Sequence, residues 1–182
     1  MRSEKVMTAE SMLSEQPLHK RSELVNGRML VRELAAYTHG RLAIAIGSAL
    51  HAWVSSRGLG DVVAAETGFT LRRNPDTVRA PDAAYVSARR VPPANVAGFA
   101  ELAPDLVVEV VSLSDRAGYV REKVDDWLAA DTQLVWILDA AHHRADVFRA
   151  DGTTTRLGAV DSLSGENVLP GFLLPLAPLI GA

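Results

Sequence analysis

Asp105-Leu106-Val107-Val108-Glu109-Val110-Val111-Ser112 is the stretch on which the fold turns. The apolar run is rich in β-branched residues and is bounded by Pro104 and Ser112. It reads as a strand covered on both faces, as at the centre of an α/β sheet. Glu109 stands in the middle of it, with only aliphatic neighbours from 106 to 111. An unpaired carboxylate buried there is costly, so Glu109 requires a cation, a metal, a proton or a deep cleft beside it.

Upstream, Arg79-Ala80-Pro81-Asp82 places a second acid at the head of another strand-like run, 83–87. Downstream, Val120, Val124, Trp127 and Leu128 fall on one stripe of a helix over 119–130, with Glu122, Asp125 and Asp126 mostly opposite. Leu134-Val135-Trp136-Ile137-Leu138 is a second buried strand, and 145–149 returns from it after a turn at 141–144. Towards the start, Asn26-Gly27 closes a hairpin over 23–31, because these residues accept the positive φ of a two-residue turn. Leu42, Ile46, Ala49, Leu50, Trp53 and Val54 recur at helical spacing over 38–56, and Gly58 and Gly60 stop the run. A strand is expected over 61–72, a short capped helix at 8–13, and irregular or edge structure around Pro170, Pro175 and Pro178. The expected fold is α/β (α+β), a mixed β-sheet flanked by helices.

At 182 residues the chain is expected to be a single domain, 1–182, with 1–20 as an N-terminal helical arm. It has no cysteine, which excludes thiolate chemistry and cysteine-bound zinc. No stretch approaches the roughly 20 apolar residues needed to span a bilayer, and residues 1–17 lack an apolar leader core, so no membrane is expected and a cytoplasmic location is. A net charge of −3 disfavours a sequence-independent DNA coat protein. Locally, 72–90 holds five arginines (72, 73, 79, 89, 90) against two acids, either a phosphate-contacting stretch through Arg72, Arg73 and Arg79 or a solvated loop face.

Spacing separates the partners of Glu109. Asp105 lies on the same strand, roughly 13 Å away, and reads as a strand-initiating residue. Asp82 comes from a different strand, and neighbouring strands about 5 Å apart let two carboxylates share one hard cation. Other motifs fail: Gly58-Leu59-Gly60 is a helix stop, and no zinc, phosphate-loop or serine-elbow pattern is present.

Pro81-Asp82, then 26 residues, then Glu109 in a Val-rich strand followed by a helix resembles the PD-(D/E)xK nuclease superfamily. The ordered set Glu23-Leu24-Val25-Asn26-Gly27, 79–86, 104–112, Lys123, 135–139 and Leu169-Pro170-Gly171-Phe172 resembles the Uma family of "putative restriction endonucleases" and covers nearly the whole chain. The resemblance implies a restriction-endonuclease-like fold and a Mg²⁺- or Mn²⁺-dependent endonuclease that hydrolyses phosphodiester bonds of nucleic acid, DNA above all. It implies Asp82, Glu109 and the Val110 carbonyl as metal ligands, and Lys123 as the group that orients water or stabilises the transition state. Glu23 is implied as a further ligand or supporting acid, against a solvated hairpin glutamate, and His39 as a family histidine, against ordinary helix-start polarity. A homodimer is a further expectation of the fold.

Two departures stand out. The superfamily pattern wants lysine two residues after the acid, where this chain has Val111, so the cation would come from the following helix as Lys123. Leu134 stands where the family commonly has Glu. The alternative is therefore a catalytically silent nuclease fold acting as a binding or assembly module. A third reading is a structural domain whose Glu109 pairs with Lys123 or Arg121.

Overall fold

The computed structural model describes residues 6–15, 21–32, 34–112 and 115–181. Of the expected N-terminal arm it gives helix α1 (Ala9–Glu15), while 1–5 and 16–20 lie outside the described residues. The hairpin is β1 (Arg21–Val25) and β2 (Arg28–Arg32), with Asn26 at φ 51° and Gly27 at φ 73° in its turn. Helix α2 runs over Tyr37–Ser55. It is followed by β3 (Gly60–Ala64), β4 (Phe69–Arg72), β5 (Thr77–Arg79), β6 (Ala83–Ser87) and β7 (Leu106–Val110). Helix α3 (Ala117–Ala129) leads into β8 (Leu134–Asp139), β9 (Arg144–Arg149), β10 (Thr154–Gly158), β11 (Ser162–Ser164), β12 (Leu173–Pro175) and α4 (Ala177–Ile180).

Among the described residues the strands form three sheets: a central one in the order β10-β9-β8-β7-β6-β3, a second in the order β2-β1-β5-β4, and the pair β11-β12. In the central sheet β7 and β8 are parallel and joined through α3, while the other pairings are antiparallel. Strand alternation assigns the two faces. Leu106, Val108 and Val110 pack with Leu42, Ile46, Leu50 and Val54 of α2, whereas Val107 packs with Val124 and Trp127 of α3. Glu109 therefore points to the α3 face.

The expected strand over 61–72 is corrected. It is two strands in different sheets, β3 and β4, because Glu66 takes φ 71° and the chain turns at 65–68. Gly68 is required there, since a Cβ would meet the Phe99 ring at 2.3 Å. The tail is also more ordered than its prolines suggest. It forms the β11-β12 pair, and Leu163, Leu169, Phe172 and Leu176 are buried in the α2-side core, where Phe172 stacks on Trp136 at 6.0 Å.

The hairpin sheet meets the central sheet through residues 79–82, which pass from β5 directly into β6 and carry Arg79 and Asp82 across the junction. The α2 stripe is fully buried, so its loss should be felt globally. Leu50→Ala is expected to cost about 2–5 kcal/mol in urea unfolding, with an unchanged denaturant slope.

Candidate active site

Ala83 pairs with Val108, and Asp82, one residue before β6, lies beside the Val108–Val110 segment of β7. The Asp82 amide donates to the Val108 carbonyl at 3.0 Å, and Asp82 Oδ2 accepts from the Val110 amide at 2.8 Å. His39, in the first turn of α2, brings Nε2 to 3.1 Å from the same carboxylate oxygen. Burial alone would raise Asp82, but the His39 hydrogen bond and charge and the Val110 amide hold it below its usual value.

Lys123 is buried, not a surface residue at the edge of its helix. Its Nζ lies 2.7 Å from Glu109 Oε2, 3.1 Å from Glu23 Oε1 and 3.4 Å from the Ala80 carbonyl. Trp127, one helical turn on, donates Nε1 to Glu109 Oε1 at 3.0 Å. Spacing of i, i+4 puts Lys123 and Trp127 on one face of α3, a relation legible in the sequence. The requirement that Glu109 have a cation beside it is met by Lys123.

Glu23 is not a solvated hairpin glutamate, because β1 buries it at the sheet junction. It accepts from the Ala80 amide at 3.1 Å, from Arg79 Nη1 at 3.0 Å and from the Tyr119 hydroxyl. Burial would raise its carboxyl, yet Lys123 and Arg79 together, with the Tyr119 hydroxyl, pull it down to about 2. Glu109 fares differently. Burial, with Asp82 and Glu23 nearby, outweighs the Lys123 ammonium and pushes it up to about 7. Lys123 stays charged: burial disfavours the ammonium, but Glu109 and Glu23 raise it above its ordinary range.

Arg79 corrects a second expectation. It is 0 % exposed, stacked 5.5 Å from the Tyr119 ring centroid, and paired with Glu23 and with Asp126 at 2.6 Å. A guanidinium so enclosed cannot reach a nucleic-acid phosphate; it is a structural cation. Its neighbours in the basic stretch are engaged as well: Arg72 with Asn26 and Thr77, and Arg73 with Glu10, Asp76 and Glu101. Asp105 is a local clamp, accepting from the Ser87 amide and from Arg90, each at 2.8 Å. Composition carries no signal for the roles of Tyr119 and Asp126.

Glu23, Asp82 and Glu109 bring buried carboxylates to one junction, and hard oxygen donors of this kind suit a small dication. Among the described residues no group of three or more His, Cys, Asp or Glu side chains is arranged to hold a metal. An ion here would rest on Asp82, Glu109, the Val110 carbonyl and water. Each carboxylate oxygen of Glu109 accepts from one side chain and keeps a second lone pair, so its contacts with Lys123 and Trp127 do not block coordination.

Beside the acids, at the C-terminal ends of the parallel strands β7 and β8, a cleft of about 610 Å³ opens between the sheet and the starts of α2 and α3. This is where ligands collect in α/β sheets. His39 and Val110 line it, as does Val111. Its far rim holds Asp139, which accepts from His142 Nδ1 at 2.7 Å and lies 3.2 Å from Arg144. In the sequence this segment shows only as a turn.

The α/β fold with this mixed sheet is seen in a solved structure, described as a "putative nuclease belonging to DUF820" from Anabaena variabilis ATCC 29413. The two align with a TM-score of 0.84 at 17% identity, over 96% of this chain and 97% of that one. Residues 10–177 match the Uma2 family, "Putative restriction endonuclease", and the chain belongs to that family. No curated protein matches it. No helix among the described residues is long and apolar enough to cross a membrane.

The pKa directions set the pH response of the metal-free protein. Glu109 is raised from 4.5, so its stabilising contribution is complete below pH 4.5 and is lost as pH rises through about 7. Glu23 is lowered from 4.5, so its contribution is present above pH 4.5 and is lost as pH falls towards about 2. Between about pH 5 and about pH 8, urea unfolding in EDTA should show stability falling as pH rises. Glu109→Gln should flatten that slope.

Proposed function

We propose that this protein is a divalent-metal-dependent nuclease that hydrolyses phosphodiester bonds of nucleic acid, with DNA as the substrate class. The observation that carries the reading is the Asp82 carboxylate bonded to the Val110 amide, next in chain to Glu109, with the Lys123 ammonium 2.7 Å from Glu109. Family membership supports it. Asp82, Glu109 and the Val110 carbonyl would hold Mg²⁺ or Mn²⁺, which supplies Lewis acidity towards the phosphate and lowers the pKa of water. Lys123 keeps a positive charge beside Glu109 as negative charge builds on the phosphate. Glu23, tied to Arg79 and Tyr119, fixes the ammonium from the other side. The Val110 amide and His39 orient the Asp82 carboxylate.

A second reading has its own support. Val111 occupies the position where the superfamily pattern has lysine, and Leu134, where the family commonly has Glu, is buried in the core. Both favour a catalytically silent member that binds without cutting.

Calorimetric titration of Mn²⁺ separates the possibilities without a guess about substrate. The wild type should bind, and Asp82→Ala and Glu109→Ala should each weaken binding by about tenfold or more. Absence of binding in the wild type, with and without added oligonucleotide, would sink the metal-dependent reading. Cleavage of DNA by the wild type but not by Asp82→Ala would exclude the silent one.

A further inference from the structure

We propose that the cleft beside the acid pair receives a single unstacked nucleobase, so that the nucleic acid presented to Asp82 and Glu109 is single-stranded or locally opened. This inference rests on the reading of those two acids as the nuclease site. A space of about 610 Å³ is the size of a small-molecule site, large enough for a nucleoside and far too small for a duplex. Val111, Val120, Val124 and Ile137 make its walls apolar, and Phe148 adds an aromatic ring with the Arg121 guanidinium 5.7 Å from its centroid. A nucleobase has two apolar faces and a polar edge, and aromatic rings are the usual platform for unstacked bases. Polar groups stand among the lining residues where an edge would be read: Thr38, Ser112 and His142.

Charge points the same way. Asp115, Asp139 and Asp146 outnumber Arg121 and Arg144 around the cleft, and Arg72, Arg73 and Arg79 are engaged by polar or acidic partners within the fold. Two continuous phosphate backbones would meet little compensation here, whereas one inserted base carries no charge. Asp82 and Glu109 do not line the cleft themselves and adjoin it through their neighbours. Val110 follows Glu109 and donates its amide to Asp82, and His39 touches Asp82; both line the cleft. A nucleotide with its base among the valines would have its phosphate on the side of Asp82 and Glu109.

Fluorescence anisotropy with a labelled thymidine oligonucleotide and a duplex of equal length tests this, in EDTA and again in Ca²⁺. Val120→Trp fills the cleft and Phe148→Ala removes its ring. The single strand should bind at least tenfold tighter than the duplex, and either variant should lower that affinity at least fivefold while leaving Mn²⁺ binding unchanged. Equal affinity for the two forms, no binding of either, or wild-type affinity in variants that melt like the wild type would overturn the inference. A retained single-strand preference in a protein that binds no Mn²⁺ would instead overturn the metal reading and leave the cleft assigned.

Discussion

One ammonium joins the parts of this molecule that the chain keeps separate. Lys123 comes from α3, Glu109 from the central sheet and Glu23 from the hairpin sheet, and the Ala80 carbonyl belongs to the segment that links the two sheets. All three groups lie within 3.4 Å of Nζ. Such an arrangement contributes little net stability, since desolvating the charges offsets most of the Coulombic gain. Its consequence is geometric. With Lys123 between them, two acids on different sheets are held at fixed positions, and neither can relax towards solvent.

Arg79 does for Glu23 what Lys123 does for Glu109. Fully buried, it spans from Glu23 to Asp126 and packs over Tyr119, so the hairpin sheet is tied to α3 on the side away from the cleft. The charge is shared unequally. Glu23 has two cations and stays ionised down to about pH 2, whereas Glu109 shares one ammonium with Glu23, lies near Asp82, and is held to about 7. The acid on the central strand is therefore the one whose charge responds most to anything placed beside it. The topology is the cause, because β7 is flanked by β6 and β8 and buried by α2 on one face and α3 on the other.

The central strand, its helix and the return strand are legible in the sequence because their periodicity is strong: the run around Glu109 has no other polar interruption, and the α3 stripe is clean. The Asp82 partnership is legible too, from the cost of burying Glu109 and from the distance that excludes Asp105. Arg79 is not, because composition counts charges without showing where they point. Three of the acids that engage it, Glu23, Glu122 and Asp126, are distant in sequence. The break at 65–68 is hidden because both flanking strands carry strand-forming apolar residues and the turn rests on the backbone of Glu66 and the close approach at Gly68. The cleft leaves no local trace at all, since its walls come from α2, β7, α3, β8 and β9.

Val111 gains a meaning from that cleft. Two residues beyond Glu109, it projects to the same face, so a lysine there would place its ammonium directly in the cleft. This chain supplies the cation from the helix side instead, where Nζ is enclosed by Glu109 and Glu23 and away from the opening. The two positions have different physical effects. A cation at 111 would polarise the cleft and favour phosphate within it, whereas valine leaves an apolar wall beside Val120, Val124 and Phe148. If the cleft takes a base, the departure from the superfamily pattern does not simply remove a catalytic group. It moves the positive charge behind the acids and leaves the space in front of them suited to an uncharged, flat, apolar ligand face.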